Sequence, residues 1–96
     1  MRHVYIVCYD ICDEKRLRTV YKMMRGFGRP IQYSVFHCDL SEKERVMMLM
    51  SLHDEINIAD DRVLVIDLGP DDGTWSNRLE VLGRPMKIPE RKPTII

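Results

Sequence analysis

The sequence predicts an α+β domain in which two helices cover one face of a four-stranded sheet. Three observations carry that prediction. Three stretches, residues 3–9, 31–40 and 62–68, are rich in strand-forming residues and largely apolar on both faces. Two intervening stretches place their apolar residues at helical spacing instead. Turn-forming clusters then separate these segments, and a short further strand fits residues 78–82.

The opening run His3-Val4-Tyr5-Ile6-Val7-Cys8-Tyr9 ends abruptly in Asp10. Val4, Ile6 and Cys8 alternate with Tyr5, Val7 and Tyr9, so both faces are apolar and a central, covered strand is expected. Asp10 stands at the lip of the sheet, where α/β folds tend to carry their chemistry, although a turn or capping carboxylate explains it equally well. Leu17, Val20, Tyr21, Met24 and Phe27 then form one helical stripe. Asp13 serves as its N-cap, and Gly26 and Gly28 bracket its end. Lys15, Arg16, Arg18, Lys22 and Arg25 fall outside the stripe as a basic ridge, with Arg16 and Arg18 in reach of Asp10.

Gly28-Arg29-Pro30 turns the chain into the uncharged segment Ile31 to Cys38. Ser41 and Glu44 make a capping box for a second helix reaching about Ile56, with Val46, Met47, Leu49, Met50, Leu52, His53 and Ile56 as a wide buried side. Residues 57–61 form a polar turn before the strand at 62–68, which Gly69-Pro70-Asp71-Asp72-Gly73 closes. Pro85, Pro89 and Pro93 keep the remainder extended, so the reading separates a domain at 1–83 from a tail at 84–96.

With 96 residues, 45% hydrophobic and 31% charged, the chain is globular and close to the lower size limit for a single core. Its apolar runs are far short of the ~20 residues of a membrane span. No basic leader with an apolar core precedes the first strand, so a cytoplasmic protein is expected. Cys8, Cys12 and Cys38 lack metal-knuckle spacing; reduced thiols are expected in place of a zinc site with His37. Net charge is zero but segregated: residues 1–30 carry +4, residues 39–72 carry −7 and residues 73–96 carry +3. Such segregation builds one positive surface, suited to a phosphate backbone or simply a solvated helix face.

Two helices cover one face of the sheet, while three strands are apolar on both. A second copy packed sheet against sheet, or tails exchanged across a two-fold, supplies the missing cover, and a homodimer is expected. In that arrangement a residue at the end of the first strand can meet its symmetry mate.

Two motifs resemble the CRISPR-associated protein two family, the small partner of the CRISPR integrase in spacer acquisition. One is the apolar strand ending Tyr9-Asp10-Ile11, followed by Asp13 and Lys15, Arg16 and Arg18. The other is Gly28 followed by Gln32-x-Ser34-Val35-Phe36 and Asp39-Leu40. Glu80-Val81-Leu82-Gly83 also looks like the family's last strand. Pro30, with Arg29 before it, stands where the family often has a basic residue. The resemblance implies a ferredoxin-like fold and a homodimer whose C-terminal strand packs on its partner. It further implies metal-dependent phosphodiester cleavage, on RNA in some members and duplex DNA in others. Asp10 corresponds to the metal carboxylate, one from each subunit, flanked by Tyr9, Ser34 and Phe36, with Arg16 and Arg18 as the basic residues. The twelve residues between Gly28 and Ser41 are few for two strands, so one is expected to be very short or the segment a single bent strand.

Mg²⁺ suits two facing carboxylates, because it is hard, oxygen-loving and content with one or two carboxylates plus water and phosphate. Arg16 or Arg18 would neutralise charge on phosphate oxygens, and Lys15, Lys22 and Arg25 would hold the nucleic acid. Tyr9 and Phe36 read as packing before base-stacking, Ser34 as bonded to backbone and His3 and His53 as structural, while His37 adjoins the second motif at a position expected to vary, and none of the three reads as a general base. A non-catalytic scaffold that holds DNA in the integrase complex remains the alternative.

Overall fold

A computed structural model describes residues 1–86. Strand β1 (His3–Asp10) leads into helix α1 (Glu14–Met24), a hairpin of β2 (Arg29–Gln32) and β3 (Val35–Leu40), helix α2 (Glu42–Glu55) and strand β4 (Arg62–Pro70). A 3-10 turn, Thr74–Arg78, follows. The strands form one antiparallel sheet in the order β2-β3-β1-β4, with Tyr5 opposite both Cys38 and Asp67. This is the expected α+β sheet with two helices, and β1, the most continuously apolar strand, shares the two interior positions with β3.

Local signals set the helix starts. The Asp13 carboxylate accepts the Arg16 amide at 2.9 Å, occupying one of the donors left open at the start of α1. At α2, Ser41 Oγ accepts the Glu44 amide at 3.2 Å while Glu44 Oε1 accepts the Ser41 amide at 2.9 Å, a reciprocal capping box. Beyond α1, Gly28 crosses under β3. A Cβ there would stand 2.3 Å from the His37 carbonyl oxygen and 2.5 Å from Cys38 Sγ, so only glycine fits.

The main core lies between sheet and helices. Tyr5, Val7, Tyr9, Phe36, Cys38 and Leu40 from the strands meet Val20 and Met24 of α1 and Met48 and Leu52 of α2. The α1 stripe packs as its spacing predicts. The α2 phase differs: Met48 is buried, whereas Val46, Met47, Met50 and His53 face outward. Three methionines in four positions fit two registers, and packing against the sheet selects the one that buries Met48.

Three further expectations change. The segment 31–40 is not one strand: Tyr33 and Ser34 turn between β3 and a four-residue β2, which is the very short strand that the family resemblance allowed for. Residues 78–82 form no strand among the described residues. Arg78 ends the 3-10 turn, Leu79 is extended, and the next residues are exposed and pair with no strand among the described residues. The second sheet face is also partly covered within the chain, because Trp75 and Leu79 pack over Val4, Ile6 and Leu68. What stays open is the Asp10 end of β4, where Leu64 is 52% and Ile66 48% exposed. Residues 87–96, most of the expected tail, lie outside the described residues.

Candidate active site and nucleic-acid surface

Strand alternation puts Asp10 on the face of Val4, Ile6 and Cys8, away from the helices. Across β4 it faces Arg62, next to the Cys8–Leu64 and Ile6–Ile66 pairs. Its carboxylate is exposed and, among the described residues, makes no hydrogen bond or ion pair. It is therefore a charged oxygen pair beside an open apolar patch.

The other expected site residues scatter around this strand end. Tyr9 points to the helix side and is buried, stacked on Phe36 at a centroid distance of 6.1 Å. Burial pushes its hydroxyl up to about 12, and that hydroxyl has no hydrogen-bond partner among the described residues. At neutral pH Tyr9 is consequently a protonated core residue, not a base. Phe36 is fully buried and meets Tyr21 edge-on at 5.5 Å. Ser34 sits in the hairpin turn, half-buried, and its carbonyl accepts the Tyr9 amide at 3.1 Å. That bond ties the turn to the residue before Asp10.

Arg16 and Arg18 part company. Arg16 Nε donates to Asp61 Oδ2 at 2.9 Å and Nη2 to Oδ1 at 3.1 Å. Asp61 also accepts the Cys12 amide at 2.9 Å and the Asn57 amide at 2.8 Å, and its side chain is wholly covered. The Arg16 guanidinium, helped by these amides, holds the Asp61 carboxyl well below the usual carboxylate range. Arg16 thus joins the loop after Asp10 to the turn before β4. Arg18 is exposed, 3.6 Å from Glu14, a pair that solvent leaves weak. Neither arginine pairs with Asp10.

Lys15, Arg18, Lys22 and Arg25 are spaced three, four and three residues apart on α1, and all four are exposed. They form the outward ridge that the sequence implied, whereas Arg16 turns inward. Asp61, Tyr21 and Tyr33 were not among the expected site residues. The turn 57–61 reads only as polar, and nothing local distinguishes Asp61 from Asp60.

No three His, Cys, Asp or Glu side chains gather as a metal set among the described residues. Cys38 lies in the helix-side core, while Cys8 and His37 belong to the other face. Asp10, exposed and without a hydrogen bond or ion pair among the described residues, has oxygens of the kind a hard cation takes. His3 is tied to Asp67 at 2.9 Å, which holds that carboxyl below its ordinary value. Buried His37, packed on Trp75 at 4.8 Å, has its pKa lowered by burial.

Comparison with known proteins identifies the family and the fold. A family model described as CRISPR associated protein Cas2 matches residues 1–74. A Rhodospirillum rubrum protein named CRISPR-associated endoribonuclease Cas2 1 is 42% identical over 94 residues, covering 98% of this chain and 91% of the relative. A Geobacter sulfurreducens CRISPR-associated endoribonuclease Cas2 is 44% identical over 70 residues, 73% of this chain and 74% of the relative. The crystal structure of Streptococcus pyogenes Cas2 superposes with a TM-score of 0.71 at 33% identity, covering 83% of this chain and 99% of that one. A hypothetical protein from Thermus thermophilus shares the fold, with a TM-score of 0.77 at 24% identity over 94% of this chain and 100% of its own.

Proposed function

The chain belongs to the Cas2 family of CRISPR-associated proteins, and on that premise we propose that it is a Mg²⁺-dependent endonuclease of spacer acquisition. It acts as a cytoplasmic homodimer beside the CRISPR integrase and hydrolyses phosphodiester bonds of RNA or duplex DNA. The observation that carries this reading is the uncommitted Asp10 carboxylate bordering the exposed Leu64 and Ile66. A second copy laid on that patch removes apolar surface from water and brings two Asp10 side chains together. Residues 84–96 then extend from the 1–83 domain onto the partner, where a strand edge is available to the unpaired segment after Leu79.

Facing carboxylates repel, which favours a bound cation between them. Asp10 of each protomer would hold Mg²⁺, which supplies Lewis-acid polarisation of the phosphate and a more acidic bound water. Arg18, exposed on α1, offsets negative charge on phosphate oxygens. Arg16, through Asp61, positions the loop that follows Asp10. Ser34, Tyr9 and Phe36 support the strand end from the hairpin and the core. The ridge Lys15-Arg18-Lys22-Arg25 holds the backbone of the nucleic acid without reading its sequence.

A scaffold that only holds DNA is the second reading, favoured by that ridge, which is complete without Asp10. Side-by-side cleavage of RNA and duplex DNA in Mg²⁺ or EDTA, for wild type and Asp10→Ala, separates the two. The nuclease reading expects cleavage in Mg²⁺ alone, lost in Asp10→Ala while the fold and nucleic-acid binding persist. Equal cutting by both proteins would move the site elsewhere. No cutting by either, with DNA binding intact, would leave the scaffold.

A further inference from the structure

A groove of about 590 Å³ runs between α1 and the β2–β3 hairpin, a size that accommodates a small organic ligand. Arg18, Tyr21 and Lys22 form its helix wall. Pro30, Ile31, Gln32 and Tyr33 form the wall opposite. Two of the lining residues are cations and none is acidic, so the groove favours an anion with an apolar, flat body.

Tyr33 is the unusual member. It is 70% exposed at the hairpin tip, yet its ring lies beside that of Tyr21, with centroids 6.4 Å apart and planes within 20°. Tyr21 in turn meets buried Phe36. The exposed ring is therefore the outer member of an aromatic series anchored in the core, a pre-placed platform with an uncovered face. The groove also shares an end of the sheet with Asp10, because the Ser34 carbonyl next to Tyr33 accepts the amide of Tyr9.

We propose that this groove is a subsite for one unpaired nucleotide of a single-stranded nucleic acid, its base stacked on Tyr33 and its phosphate between Arg18 and Lys22. The inference rests on the nucleic-acid reading above and assigns the place where an unpaired base is held, with Tyr33 as its stacking surface. Phosphate attraction is common to single strands and duplexes, whereas a duplex keeps its base faces covered by neighbouring bases. Stacking is also tolerant of base identity, so the groove selects strand state, not sequence.

Binding of the full chain in EDTA, where Mg²⁺-dependent cleavage is suppressed, tests the subsite. The probes are a labelled single-stranded oligonucleotide carrying an internal fluorescent purine analogue, and the duplex of the same sequence. Tyr33→Ala is expected to weaken single-strand binding about tenfold and to abolish quenching of the analogue, with duplex affinity unchanged. Tyr33→Phe is expected to keep both the affinity and the quenching. Unaltered single-strand binding by Tyr33→Ala, or an equal loss for the duplex, overturns the subsite while the Asp10 reading stands. If the wild type binds neither probe, the nucleic-acid reading fails and the subsite with it.

Discussion

The guanidinium of Arg16 grips the carboxylate of Asp61 through two hydrogen bonds, 2.9 and 3.1 Å long, across 45 positions of sequence. Asp61 returns the remaining lone pairs to the backbone of Cys12 and Asn57. One covered carboxylate thus pins the loop after Asp10, the first turn of α1 and the turn into β4. Because Arg62 follows Asp61 and faces Asp10, this knot also holds the β1–β4 register at the candidate site.

Acid should undo that knot first. Asp61 has a folded-state pKa well below its ordinary 3.8, chiefly through its hydrogen bonds to Arg16, so the folded chain binds fewer protons there than the unfolded one. Its stabilising effect is complete above the ordinary value and drains away as pH falls from about 4 towards the depressed pKa. Urea unfolding followed against pH should show a lower midpoint for Asp61→Asn than for wild type at neutral pH. The two curves should converge in strong acid. Curves that stay parallel to low pH would remove the carboxylate from this role.

Gly28→Ala should destabilise the fold without touching the site. The added Cβ would stand 2.3 Å from a backbone oxygen and 2.5 Å from a buried sulfur, and backbone does not yield easily. A loss of about 2 kcal/mol or more in urea unfolding is expected. Gly26→Ala, whose Cβ stands 3.3 Å from the Met23 carbonyl oxygen, should cost less. Equal losses would mean that the approach under β3 is not tight.

The open apolar patch makes an oligomerisation prediction. Ile66→Lys places a charge among exposed side chains, so the chain should fold, but a sheet-to-sheet contact would bury that charge unpaired. Sedimentation velocity should give twice the chain mass for wild type and the chain mass for Ile66→Lys. A monomeric wild type refutes the dimer.

The outward ridge should be visible in salt. Each ridge cation that contacts a phosphate contributes about 0.9 to the slope of log affinity against log salt on duplex DNA. Lys15→Gln and Arg25→Gln should each lower that slope by about this amount, whatever the DNA sequence. Arg16→Gln should instead register mainly as lost stability, since its guanidinium is already committed to Asp61. An unchanged slope in Lys15→Gln and Arg25→Gln would leave the ridge as ordinary solvated surface.

Asp10 was legible because an apolar run that stops at a carboxylate is a local pattern, and the Tyr9-Asp10 and Gln32-x-Ser34-Val35-Phe36 motifs sharpened it. The caps at Asp13 and Ser41 were legible for the same reason, each involving residues within one helical turn. The α2 phase was not, since Met47, Met48 and Met50 fit two registers and only packing chooses Met48. Tyr33 gave no signal either, because its meaning depends on Tyr21 lying beside it.

By itself the sequence determined the first strand, the two helices, the strand at 62–68 and their order, together with the basic helix and the acid at the end of the first strand. These depend on periodicity and capping, which act over a few residues. Only the tertiary structure decided that Arg16 turns inward to Asp61 while Arg18 stays free for solvent, and that Trp75 covers part of the second sheet face but not Leu64 and Ile66. Those outcomes depend on which distant segments meet, and that is settled by packing the whole sheet at once.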